Sequence, residues 1–164
     1  MKTLFALAAL ALGITASHAA TFGTLNFVRV ESSGISVLLP GQPTKEGFNS
    51  EACARTDYHY NPRGFDYRVS ISSCPAGTSS DYAKSIDAAQ RTSKAVRVFE
   101  NKEMTFGSLT GRFTHFENAD GMTIFYWIAT RGTRVYQLIA VHEKGYSFND
   151  DAKNMFESAR FSNY

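Results

Sequence analysis

The chain has 164 residues, of which 43% are hydrophobic and 13% aromatic, and a formal net charge of +2. This is the composition of one ordinary globular domain. It lacks the basic excess that marks a nucleic-acid or anionic-membrane binder.

The first residues, Met1-Lys2, precede an apolar run from Leu4 to Ile14 and then Thr15-Ala16-Ser17-His18-Ala19. This is the three-part plan of a secretory signal peptide, with Ser17 and Ala19 as the small residues before the cut. The apolar run is about eleven residues, well short of the ~20 a spanning helix needs. Residues 1–19 are therefore predicted to be a signal peptide and residues 20–164 a single α+β domain. No cysteine lies near the cut, which argues against a lipid anchor, and no stable membrane insertion is expected after cleavage. Setting Lys2 aside, the 17 basic side chains become 16 against 15 acidic ones, a net charge of +1. The expected location is periplasmic or secreted.

Leu25 to Glu31 and Ile35 to Leu39 read as two short strands around Ser32-Ser33-Gly34. Pro40-Gly41-Gln42-Pro43 ends the second, because proline cannot donate to a ladder. A polar loop is expected from there to Asn49. Cys53 and Cys74, in an exported chain, are then candidates for one disulfide. Facing them across an antiparallel pair sets Tyr60 opposite Tyr67, Tyr58 opposite Val69 and Thr56 opposite Ile71 on a mostly apolar face. The other face carries His59 with Arg68, Asp57 with Ser70 and Arg55 with Ser72, all polar. The pairing assumed for the sulfurs thus sorts the remaining residues, and Pro62-Arg63-Gly64-Phe65 supplies the turn chemistry. There is no C-x-x-C redox pair, so the bridge reads as structural.

Ser79-Ser80-Asp81 reads as a helix start, with a capping serine and an acidic first turn. Tyr82, Ile86 and Ala89 recur at helical spacing, so a helix is predicted from about Ser80 to Thr92. Its apolar stripe is narrow, as expected of a helix that covers one face of a sheet. Val96 to Glu100, Glu103 to Leu109 and Gly111 to Glu117 read as further strands. The Gly107–Gly111 spacing falls between two of them and reads as turn geometry. Asn118-Ala119-Asp120-Gly121 is a turn.

Met122 to His142 is the most apolar stretch of the remaining chain and reads as a hairpin around Gly132-Thr133. Arg131 then faces Arg134, Ile128 faces Gln137, Tyr126 faces Ile139 and Ile124 faces Val141. The opposite face sets Phe125, Trp127 and Ala129 against Ala140, Leu138 and Tyr136. Both faces are apolar, so these strands need cover on both sides. Helices and the disulfide-bearing hairpin are the expected cover, which makes Phe125, Tyr126, Trp127 and Tyr136 core residues. Ser147 and Asp150 suggest a last helix start. Ala152, Met155, Phe156 and Ala159 give its stripe, ending near Phe161. The order of elements favours an antiparallel sheet of about six to eight strands with two main helices packed on it, an α+β fold.

Several segments together resemble a known set of proteins. They are Ile35-Ser36-Val37-Leu38-Leu39-Pro40-Gly41-Gln42-Pro43, a mid-chain helix, Arg131-Gly132-Thr133-Arg134-Val135-Tyr136-Gln137-Leu138, and Met155-Phe156-Glu157-Ser158-Ala159-Arg160-Phe161. The chain resembles small exported bacterial proteins with a PsbP-like α+β sandwich. Ile35 departs from the aromatic usual there, and Ala159-Arg160-Phe161 loosens the closing motif. The resemblance implies the sandwich fold and no catalytic residues, since the better-known relatives are accessory or binding proteins.

Chemistry-bearing residues are scattered. His59, His115 and His142 form no H-x-x-x-H pair; Asp57 and His59 share a strand face but supply only two ligands, and a solvated polar face explains them. His115 is expected opposite Ile124, as a packed side chain. Ser70, Ser72 and Ser73 lack a positioned base, and no G-x-S-x-G elbow occurs. Glu100, Glu103 and Glu117 are not brought together by any motif, and no glycine-rich phosphate loop opens a helix. The expectation is a non-enzymatic accessory or binding protein without cofactor or metal, whose partner is a protein or small molecule contacted through loops or edges. The alternatives are an envelope hydrolase with a site built from distant residues, and a module that binds by strand addition. A pocket holding His115 or His59 beside a serine or carboxylate would favour the hydrolase.

Overall fold

The computed structural model describes residues 27–50, 53–75, 81–144 and 150–162. The signal segment, Ser79, Ser80 and Ser147 lie outside them. The elements in order are β1 (Val28–Ser32), β2 (Ile35–Leu39), β3 (Thr44–Asn49), β4 (Ala54–Tyr60), β5 (Phe65–Ser73), α1 (Tyr82–Thr92), β6 (Ala95–Phe106), β7 (Leu109–Asn118), β8 (Thr123–Arg131), β9 (Arg134–His142), α2 (Asp150–Glu157) and β10 (Arg160–Phe161). The chain is α+β. A seven-stranded sheet runs β3-β4-β5-β9-β8-β7-β6, and a three-stranded sheet runs β1-β2-β10. Every pairing in both is antiparallel.

The β8–β9 hairpin sits in the large sheet with Arg131 opposite Arg134, Ile128 opposite Gln137 and Ile124 opposite Val141, as its sequence predicts. One face of it meets α1. There Ile86 packs with Phe116, Ile124, Tyr126 and Ile128. The other face is larger: Trp127, Leu138, Tyr136, Val69 and Tyr67 pack against Val37 and Leu39 of the small sheet and Met155 and Phe156 of α2. The cover differs from expectation. The β4–β5 hairpin does not lie over the central strands; it extends the same sheet, with β5 paired to β9. The small sheet and α2 supply the second layer instead.

Cys53 and Cys74 form the disulfide, with Cα atoms 4.4 Å apart. The β4–β5 register is the one the bridge implies, from Tyr60 opposite Tyr67 to Arg55 opposite Ser72. Its polar face is not all solvated, however. Asp57 is 4% exposed and accepts a 2.6 Å hydrogen bond from the Ser70 hydroxyl, with Arg55 3.2 Å away. A buried carboxylate persists only with such partners.

Four other expectations are corrected. Thr44–Asn49 is a strand, not a loop; as an outer strand exposed along its whole length it carries no alternation to read. Val96–Glu100 and Glu103–Leu109 are one twelve-residue strand, β6, whose register shifts near Val96 and Phe99. The turn that ends it is Gly107-Ser108, so Leu109 begins β7. Gly107 has φ +57°, which favours glycine, and an added Cβ would sit 2.6 Å from the Ala159 carbonyl. Gly111 is not a turn residue but lies inside β7, where an added Cβ would collide with the Ile128 carbonyl oxygen.

Both helices also start or stop differently from expectation. Asp81 itself caps α1, its side chain accepting from the Lys84 amide at 3.1 Å, so its charge acts at the cap rather than in the first turn. α2 stops at Glu157. Ser158 then donates to the Met155 carbonyl at 2.8 Å and accepts from the Leu38 amide at 2.8 Å. That ties the helix end to β2 and turns Arg160–Phe161 into a strand beside it.

Candidate binding cleft

The site builds from the register of β6, β7 and β8. Pairing β7 with β8 sets His115 opposite Phe125, not Ile124; Ile124 pairs with Phe116. A one-residue difference moves a side chain to the other face. His115 therefore leaves the α1 side and joins the side that carries α2. On its other flank the irregularity of β6 sets Glu100 opposite His115 and brings Phe99 alongside it.

The result is a row of π systems across one end of the sheet. The Arg97 guanidinium lies 4.7 Å over the Phe99 ring. Phe99 stacks on His115 at 4.6 Å between centroids, and His115 stacks on Phe125 at 4.3 Å with planes 21° apart. Phe125 lies 5.5 Å from His142, which meets the edge of Phe65 at 5.1 Å. These are the separations at which ring pairs attract. His142 is fully buried, and Phe99 is 40% exposed. The row thus runs from the interior to the surface.

Beside this row a cleft of about 220 Å³ opens between α2 and the strands. Its apolar lining is Met104 and Phe106 of β6, Phe113 of β7, Phe125 of β8 and Phe156 of α2; its polar lining is Glu100, His115, Lys153 and Glu157. Phe106 and Phe113 both meet the Phe156 ring edge-on, at 5.4 and 6.1 Å. These aromatic side chains are core residues and lining at once. At the mouth Glu100 pairs with Lys102 at 3.0 Å, both about half exposed.

Burial pushes the His115 imidazole below the ordinary histidine value, Glu100 pulls it back up, and His142 pushes it down again. Asp151, at the start of α2, is pushed up by burial and by Asp150 and pulled down by His142.

The other sequence candidates do not converge. His59 is on the opposite face, 3.3 Å from the Thr44 hydroxyl. Ser70 is committed to Asp57. Glu117 pairs across the ladder with Arg97, and Glu103 is exposed on β6. Among the described residues no group of three or more His, Cys, Asp or Glu side chains could hold a metal. The Glu100–His115 juxtaposition went unseen in the sequence because it depends on the shifted register of β6, and no local pattern encodes that.

Comparisons with known proteins add little to this geometry. No family model matches the chain, and no curated protein matches it. It is similar to a crystal structure from Bacteroides thetaiotaomicron VPI-5482, at 16% identity and a TM-score of 0.49. The match covers 82% of this chain and 48% of the other, so the chain spans about half the length of that protein.

Proposed function

We propose that this chain is an exported, non-enzymatic binding protein of the bacterial envelope, built on a PsbP-like sandwich, and that it binds through the cleft between α2 and β6–β8. The carrying observation is the cleft itself: an aromatic floor with a few charged groups at its mouth, the usual make-up of a ligand site. Its size, below the roughly 300–1,000 Å³ of drug-sized pockets, suits a small ligand or a single side chain of a partner. The Cys53–Cys74 bridge is compatible with an oxidising compartment outside the cytoplasm.

The hydrolase reading draws support from one observation, His115 beside Glu100 in the same cleft. Among the described residues that line it there is no serine, threonine or cysteine to serve as nucleophile. Strand addition draws less. The outer strands of the large sheet carry Lys45 and Glu46 at one edge and Arg97, Glu100, Lys102 and Glu103 at the other. Edge charges and an irregular register are devices that discourage pairing.

The test is native mass spectrometry of protein isolated gently from its own compartment, wild type beside Lys153→Trp. Lys153 is an exposed helix residue that lines the cleft, so the indole fills the space without disturbing the core. The wild type should carry a bound species that the variant loses. A species retained equally by both, or a bare wild type, would remove the proposal.

A further inference from the structure

Among the described residues five large apolar side chains are exposed, and three of them crowd the first half of β6: Val96 at 65%, Val98 at 48% and Phe99 at 40%. The register is the cause. The pairing of β6 with β7 skips Val96 and Phe99, so both are the extra residues of irregularities on an outer strand. A bulge leaves its extra residue unpaired and re-aims the side chain. Val98, between them, lies opposite Phe116 and so on the α1 side, while Phe99 stacks on His115 on the α2 side. The apolar side chains therefore come off both faces and meet along the sheet edge as a ridge.

Basic side chains flank this ridge. Arg91 in the last turn of α1, Lys94 just after it and Arg97 line the groove beside Val96 and Val98, against one carboxylate there, Asp87. The turn that carries Lys94 is pinned: its amide donates to the Arg91 carbonyl at 3.1 Å, and its carbonyl accepts from the Ala119 amide at 3.0 Å. All three cations are exposed, and among the described residues none of them is in an ion pair. Glu100, farther along the strand, is held by Lys102, and the half-buried Glu117 lies across the ladder from Arg97.

We infer that the first half of β6, with the end of α1, is a docking surface for an anionic lipid bilayer. Val96, Val98 and the edge of Phe99 enter the boundary between headgroups and acyl chains, and Arg91, Lys94 and Arg97 meet the lipid phosphates. The shape favours this occupant. A peptide lying in the groove reaches only one face of the sheet, and the broken register and edge charges discourage an added strand. A bilayer surface meets both sides of a ridge at once. The chain as a whole is close to neutral, so the attraction resides in this local set of cations. The contact is peripheral, since no described helix is long and apolar enough to cross a membrane. It does not depend on the cleft being a binding site.

The experiment is co-flotation of the protein, isolated from its own compartment, with two kinds of vesicle: phosphatidylcholine alone, and an equal mixture of phosphatidylglycerol and phosphatidylcholine. The protein should float with the mixed vesicles, much less with phosphatidylcholine alone, and added salt should weaken the binding. Arg91→Gln with Lys94→Gln should lower affinity for the mixed vesicles roughly tenfold. Val96→Ser with Val98→Ser should lower it severalfold; these side chains are exposed, so the fold tolerates both changes, and Phe99 is left in place because it packs on His115. Phe48→Ser, an exposed change on the opposite outer strand, should leave binding as it was. Equal binding to both vesicles, binding untouched by either double variant, or an equal loss with Phe48→Ser overturns the inference. No binding to either vesicle also overturns it and leaves an acidic protein surface as the occupant of this edge.

Discussion

The two faces of the seven-stranded sheet are covered by different means. On one face a single helix, α1, contributes Ile86 as its only fully buried side chain, over Phe116, Ile124, Tyr126 and Ile128. On the other face the small sheet and the short helix α2 meet a cluster that includes Trp127, Phe125, Tyr136 and Leu138. The groove that α1 leaves, between it and β6, is lined mostly by polar and charged side chains such as Asp87, Gln90, Arg91 and Lys94. A cover assembled from separate pieces holds more apolar mass but leaves a seam, and the cleft is the seam between α2 and β6–β8. Stability and the opening for a ligand therefore lie on the same face.

That contrast can be broken by mutation. Trp127→Ala removes a fully buried indole whose N–H donates to the Met104 carbonyl at 3.0 Å. It should cost about 3–5 kcal/mol, whereas Ile86→Ala should fall near ~2–3 kcal/mol because fewer neighbours surround it. Urea denaturation of the two variants decides this. An equal or larger loss at Ile86 would mean that the α1 face carries as much of the stability as its counterpart.

The disulfide lies toward the far edge of the sheet from the cleft. Cys53→Ser with Cys74→Ser should lower stability by roughly 3 kcal/mol on the chain-entropy estimate for a loop of this length. It should leave the cleft intact. Altered amide shifts at His115 or Phe156 in the folded double variant would show that the hairpin props up the cleft, contrary to the separation drawn here.

The smallest effect concerns His115. Its imidazole titrates below the ordinary value of 6.5 in the folded chain, chiefly through burial. The unfolded chain takes up a proton first as pH falls below that value, so the stabilising contribution is present above it and is lost on descending through the folded value. His115→Gln should flatten the fall in urea midpoint between about pH 7.5 and pH 5.5. An unchanged pH slope would sink that assignment.

How much of this the sequence revealed depends on where a residue sits. The β8–β9 register was legible because β8 is buried on both faces, β9 is buried on one and half-buried on the other, and the Gly132-Thr133 turn fixes their offset. The β4–β5 register was legible because the cysteines pinned it and the apolar residues then sorted by face. β3 was not, since an outer strand exposed along its length has no alternation. β10 is a two-residue strand that the sequence reads as the tail of a helix. The cleft was the least legible feature. Its phenylalanines look like ordinary core residues in sequence, and the juxtaposition of Glu100 with His115 follows from the register shift in β6.

The most direct measurement on the central claim is a fragment screen read by amide and methyl NMR over the whole folded protein. Small apolar fragments should converge on Met104, His115 and Phe156, at the seam of the composite face. Convergence instead on the groove between α1 and β6, around Gln90 and Val96, or shifts spread without preference over both faces, would contradict it.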